Sequence, residues 1–169
     1  MITIYTDGSA RGNPGPGGYG AIVIGSKNVV ELGGREDHTT NNRMEMRATI
    51  EALRFVQKTN LLVRQDLTKK DEQVHVKTDS QYVLKGMTEW IDGWQKRDWI
   101  GSNKKQVLNR DLWEDMLESS EGLEVTYEYV RGHIGIAGNE RADEIATTFA
   151  DNLPIKLYSG DANTYPTKN

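Results

Sequence analysis

Apolar and polar positions change period several times along this chain, and the changes mark its elements. Residues 2–6 (Ile2-Thr3-Ile4-Tyr5-Thr6) alternate as a half-buried strand should. The run Gly12-Asn13-Pro14-Gly15-Pro16-Gly17-Gly18 has the composition of a turn-rich loop. Tyr19 to Ile24 and Val29 to Leu32 read as two more strands joined around Gly25-Ser26-Lys27-Asn28, so short connections predict an antiparallel meander. The period then lengthens. Asn41 to about Lys58 predicts a helix capped at Thr40 or Asn41, with Met44, Ala48, Phe55 and Val56 among its apolar positions. Residues 59–73 are polar and read as a long surface connection that extends the helix or leaves it.

The second half alternates strand and helix. Val74 to Thr78 predicts a strand, Ser80 to Thr88 a helix capped at Asp79 or Ser80, and a short helical piece carries Trp90, Trp94 and Trp99 with Lys96 and Arg97. Val107 to Glu118 predicts a helix with Leu108, Leu112, Trp113 and Met116 inward. Val125, Tyr127 and Tyr129 alternate with Glu124, Thr126 and Glu128, which predicts a strand with one polar face. A glycine-rich loop over 132–138 leads to a last helix capped by Asn139, where Ala142, Ile145, Ala146 and Phe149 form a buried stripe. Residues 151–169 read as a flexible tail. Strands followed by helix–strand alternation predict an α/β domain over residues 1–150 with a mixed sheet covered by helices.

Bulk properties narrow the choices. The 169 residues suffice for one domain with a real core. No apolar run approaches membrane-spanning length and no secretory leader is visible, so a protein without a membrane partner is expected. The absence of cysteine excludes disulfides and thiolate metal sites and fits a reducing cytoplasm. A net charge of −4 makes the chain a poor generic nucleic-acid binder, so any such binding needs a local basic patch or cations that offset its own acids. Gly15-x-Gly17-x-x-Gly20 matches a dinucleotide fingerprint, but a strand follows where that motif needs a helix, and the reading is rejected.

Four acids have unusual settings. Asp7 and Asp79 each end a predicted strand, while Glu45 and Asp143 each fall in the first turn of a predicted helix. Singly, each has an ordinary explanation: a hairpin turn, a helix cap, a solvated acid, a charge near a helix N-terminus. Jointly they can meet at the carboxyl ends of neighbouring parallel strands, where α/β proteins place ligands. Acids gathered there repel one another unless a hard divalent cation sits among them, which is the beginning of a phosphodiester-cleaving site. His133, between glycines and ahead of Asp143, suits proton transfer.

Six ordered segments carry a resemblance. Thr6-Asp7-Gly8-Ser9, the Gly12–Gly20 run, Thr40-Asn41-Asn42-Arg43-Met44-Glu45, Thr78-Asp79-Ser80-Gln81-Tyr82-Val83, Val130-Arg131-Gly132-His133 and Gly138-Asn139-Glu140-Arg141-Ala142-Asp143 together resemble type 1 ribonuclease H in its bacterial form. The resemblance implies a ribonuclease H-like, five-stranded mixed sheet of order 3-2-1-4-5 with helices on both faces. It implies hydrolysis of the RNA strand of an RNA–DNA hybrid with Mg²⁺ or Mn²⁺, leaving 5′-phosphate and 3′-hydroxyl ends. Asp7, Glu45, Asp79 and Asp143 become the metal carboxylates, Asp7 bridging two cations about 3.5–4 Å apart, and His133 the loop histidine. Asn13, Asn41, Asn42 and Gln81 become groove contacts, and Thr40 with Asn13 a DNA-phosphate pocket. Trp90 to Lys105, including Lys96 and Arg97, resembles the basic protrusion that grips DNA, although Asp92 and Asp98 dilute it and weaker hybrid affinity is expected. A monomer is expected. Two other functions stay open at this point: a hybrid-binding module without chemistry, and another metal nuclease of the same fold.

Overall fold

The computed structural model describes residues 1–63, 72–131 and 137–166. Strands β1 (Ile2–Ala10), β2 (Gly15–Ile24) and β3 (Asn28–Thr39) lead to helix α1 (Asn41–Val63). Strand β4 (Glu72–Thr78), helices α2 (Gln81–Lys85), α3 (Ile91–Lys96) and α4 (Arg110–Ser119), strand β5 (Leu123–Tyr129), helix α5 (Ala137–Ala150) and strand β6 (Ser159–Asp161) follow. The sheet order is β5-β4-β1-β2-β3-β6. β1, β2 and β3 pair antiparallel, and β4 joins β1, and β5 joins β4, in parallel. The expected five-strand order is present, with a sixth strand added beyond β3.

Alternation along the strands sends side chains to two faces. Ile4, Ala21, Val23, Val74 and Val76 meet Ala52, Leu53 and Val56 of α1 on one face. Ile22 and Val29 meet Ile145 and Phe149 of α5 on the other. A third cluster gathers Met46 and Ile50 of α1 with Val83, Ile91, Trp99, Leu112, Trp113 and Met116, fixing the helices that follow β4. The polar face read into β5 is real, with Glu124, Thr126 and Glu128 exposed.

Several boundaries differ from the sequence reading, each for a physical reason. β2 begins at Gly15, so half of the expected glycine loop is strand. β3 runs on to Thr39 because its polar second half is paired, Glu36 opposite Gly17 and Thr39 opposite Gly15. α4 starts at Arg110 rather than Val107, because Asn109 has a left-handed φ of 59°. The helix expected to Thr88 and the tryptophan piece are one run, α2 passing through a π turn over Gly86–Trp90 into α3. The polar connection is helical to residue 63, and residues 64–71 lie outside the described ones. The tail read as flexible instead packs on the domain as far as residue 166, giving β6 and a buried Tyr165.

Candidate metal centre and nucleic-acid groove

Asp7 does not end β1, as the Asp-Gly pair suggested; it lies inside the strand, opposite Gly20 of β2. The parallel pairing of β1 with β4 does end there, its last partners being Thr6 and Thr78. Asp7 and Asp79 are therefore the next residues of two adjacent strands, beyond the last ladder pair. This register brings two acids together although 71 residues separate them in sequence.

Glu45 arrives from α1. Thr40 Oγ1 accepts from the Arg43 N–H (3.2 Å) and starts the helix, which puts Glu45 in the second turn rather than the first. The helix lies so close to β1 that a side chain at Gly8 would collide with the backbone of Met44 and Glu45. Gly8 is thus a residue the sequence reading missed, since Asp-Gly there looks like a turn. Its lack of a Cβ, rather than turn geometry, is what lets Glu45 reach Asp7. On the other side Ser80, not Asp79, caps α2, accepting from the Val83 N–H (3.1 Å) while its own N–H donates to Thr78 Oγ1 (3.1 Å).

Asp7, Glu45 and Asp79 each place a carboxylate oxygen within 4.8 Å of the others. Asp7 and Glu45 are buried at 5 % exposure each, and Glu45 Oε2 has no hydrogen-bond partner. Burial first, then the charge of Asp79, pushes the Asp7 carboxyl up to about 7, against a weaker lowering that includes the Gly8 N–H (2.8 Å to Oδ1). Burial and the neighbouring charges of Asp7 and Asp79 push Glu45 well above the ordinary carboxylate range. Carboxyls raised in this way call for positive charge among them.

Asp143 stands apart from these three. α5 begins at Ala137, two residues before the predicted cap, so Asp143 is in its second turn, half-buried and facing the site closely enough that its charge also raises Asp7. The helix-dipole argument for Glu45 and Asp143 therefore gives way to packing as the cause of their positions. His133 lies outside the described residues.

The expected groove residues line up beyond the acids. Pairing of Gly15 with Thr39 puts the turn holding exposed Asn13 at the same sheet corner as Thr40. Asn41 and Asn42 are exposed at the start of α1, and Gln81 is exposed at the start of α2, two residues past Asp79. In the protrusion Lys96 and Arg97 are exposed and Trp90 is half-buried. Trp113 is fully buried, as expected, and Trp99 is buried too, so it packs rather than offering a surface. Trp94 joins Trp90 to this pair through ring contacts with centroids 5.3–6.4 Å apart. Tyr82, Trp94, Asn103, Lys105 and Val107 line an open cleft beside it.

Fold and acid cluster together define an α/β domain built to hold divalent cations at the carboxyl ends of its parallel strands. The RNase H family profile matches residues 1–151. The ribonuclease H of Pelobacter propionicus is 51 % identical over 145 residues, covering 86 % of this chain and 82 % of that one. LC9-RNase H1, described as a type 1 RNase H with the type 2 active-site motif, superposes with a TM-score of 0.75 at 31 % identity over 94 % of this chain and 77 % of its own. LC11-RNase H1, solved in complex with an RNA/DNA hybrid, shares the fold with a TM-score of 0.64 at 24 % identity, covering 90 % of this chain and 98 % of that one. The chain belongs to the ribonuclease H family.

Proposed function

We propose that this chain is an endonuclease that hydrolyses the RNA strand of RNA–DNA hybrids with Mg²⁺, leaving 5′-phosphate and 3′-hydroxyl ends. The observation that carries this reading is the cluster of three carboxylates with a buried, unpartnered Glu45 oxygen. An all-oxygen donor set suits a hard cation such as Mg²⁺ or Mn²⁺, and no thiolate is available to favour a soft one. Asp7, Glu45 and Asp79 would hold the first cation and Asp143, with Asp7, a second. Bound there, divalent cations supply positive charge against the charge that develops on the phosphoryl oxygens.

The chain's own residues do the rest. Asp7 and Asp79 would fix the place of a cation, and through it of the reacting phosphate, because the strands that carry them are locked in register. His133 moves a proton during turnover or product departure. Asn13, Asn41, Asn42 and Gln81 offer amides to the groove, where 2′-hydroxyls distinguish RNA from DNA. Thr40 with Asn13 holds a DNA phosphate, and Trp90, Lys96 and Arg97 hold the DNA strand. Contacts to phosphate and sugar carry little base information, so sequence preference is slight.

Cleavage of a labelled hybrid at fixed Mg²⁺ tests the assignment. Asp7→Asn and Asp79→Asn are expected to lower kcat by about a thousandfold or more. His133→Ala is expected to lower it by about a hundredfold or less, as loss of an assisting proton carrier does. Duplex RNA and duplex DNA are expected to stay intact. Near-normal turnover by both Asp variants, or equal cleavage of the three duplexes, would overturn the reading.

A further inference from the structure

Glu31 lies on β3, and its side chain is only 1 % exposed. Arg141 of α5 donates to it twice, Nε to Oε2 (2.6 Å) and Nη2 to Oε1 (2.9 Å). Two further donors come from the last stretch of the chain, the Tyr158 N–H to Oε1 (2.8 Å) and the Tyr165 hydroxyl to Oε2 (2.9 Å). Arg141 also reaches the Lys156 carbonyl (3.1 Å). Burial pushes the Glu31 carboxyl up, and Arg141 and the two tyrosines outweigh it, so the group titrates below its ordinary range. The same stretch is zipped to β3 by the β6 ladder and by the Glu31 N–H donating to the Tyr158 carbonyl (2.8 Å). The Tyr165 ring joins Ile22, Val29 and Ile145 in the α5-side core. This segment lies beyond residue 151, where the family match ends.

α5 rests on a floor of glycines. A side chain at Gly18, Gly20 or Gly33 would collide with the Ala146 carbonyl, the Ala142 carbonyl or the Phe149 ring. Such a floor allows close approach but offers few side-chain ridges to fix how the helix slides or turns, beyond Ile22 and Val29 against Ile145 and Phe149. Two arginines add directional anchorage at its ends. Arg35 donates to the Phe149 and Ala150 carbonyls at the C-terminal end, and Arg141 ties the N-terminal half to Glu31. Asp143 is two residues past Arg141. Residues two apart on a helix do not face one another, so Arg141 acts on Asp143 through the helix backbone.

We propose that residues 155–165 form a clamp that, through Glu31 and Arg141, seats α5 and so sets how closely Asp143 approaches the Asp7–Glu45–Asp79 cluster. Glu31, Arg141 and Tyr165 are positioning residues for cation binding. This rests on the reading of Asp143 as a cation-side carboxylate.

The test compares full-length wild type with Arg141→Lys, Tyr165→Ala and Tyr165→Phe at a temperature well below their melting points. Mn²⁺ binding to the protein without substrate is measured by electron paramagnetic resonance. The Mg²⁺ concentration for half-maximal hybrid cleavage is measured alongside it. Arg141→Lys keeps the charge and loses the two-pronged contact, and Tyr165→Ala frees the tail. Both are expected to weaken Mn²⁺ binding and raise the Mg²⁺ requirement by about threefold to tenfold, less than loss of a ligand's direct partner costs, with the hybrid KM at saturating Mg²⁺ unchanged. Tyr165→Phe, which keeps the ring, is expected to recover most of the affinity. Lower melting points with Mn²⁺ affinity and Mg²⁺ requirement equal to wild type would reduce the clamp to a structural brace and end the proposal. A wild type that neither binds Mn²⁺ nor cuts hybrid would instead defeat the functional reading on which it rests.

Discussion

Asp7 and Glu45 are held against one another by the packing of α1 on β1, at a cost that falls on the metal-free protein. The Asp7 carboxyl is raised from 3.8 to about 7, by burial first and Asp79 second. Between those values the folded protein binds more protons at Asp7 than the unfolded chain does. Stability from this group is therefore lost as pH rises through that window. Asp7→Asn removes the penalty. In EDTA the variant is expected to gain on the order of 1–3 kcal/mol over wild type at pH 8 and little at pH 4, read from paired thermal melts. Equal gains at both pH values would show that the strain is not electrostatic. Gly8 belongs to the same account. Only a residue without a Cβ leaves room for the Glu45 backbone, so the acid pair depends on a neighbour that bears no functional group.

At the scale of elements, α4 shows which contacts decide a position. Arg43 on α1 reaches across to it, donating to Asn109 Oδ1 (3.2 Å) and to both Asp111 oxygens (3.0 and 2.8 Å). The arginine is 29 % exposed and the aspartate 64 %, so the pair is mostly solvated. Trp113, fully buried, fills the space between α4 and the α1, α2 and α3 helices. Arg43→Ala is therefore expected to cost about 1 kcal/mol or less, and Trp113→Ala about 3–5 kcal/mol, in urea unfolding. A reversed ranking would mean that the ion pair, not the aromatic cluster, fixes α4. Tyr82, Trp90, Trp94 and Trp99 extend that cluster outward, so the tryptophan-rich protrusion is built on the core.

For the whole molecule the balance of charge matters. A chain of net charge −4 gains no general attraction to nucleic acid, so the proposed hybrid binding would fall to local cations such as Lys96 and Arg97. Each phosphate contact adds to the salt dependence of binding. Lys96→Ala and Arg97→Ala are each expected to raise the hybrid KM with kcat unchanged, and to reduce the slope of log affinity against log salt by about 1. A slope that stays at the wild-type value would remove that residue from the interface. Among the described residues no helix is long and apolar enough to cross a membrane.

The sequence alone determined the elements whose period is strong and local: the first strands, α1, β5 and the buried stripe of α5. It also named the acids, because Asp7, Glu45, Asp79 and Asp143 stand in ordered segments that resemble one family. It could not place them in their elements. Asp7 proved to be mid-strand, and Glu45 and Asp143 proved to be in second turns, because boundaries follow pairing and packing as much as composition. Gly18 read as loop because the cause of its presence, α5 pressed onto the strand, lies over 120 residues away, and Gly17 because Thr39 and Met44 crowd it from β3 and α1. The tail read as flexible because the contacts that tie it to the domain lie across the fold, Tyr165 on Glu31 and Ser159 beside Val30. Tertiary structure decided register and close approach, which are long-range quantities that local residue order does not carry.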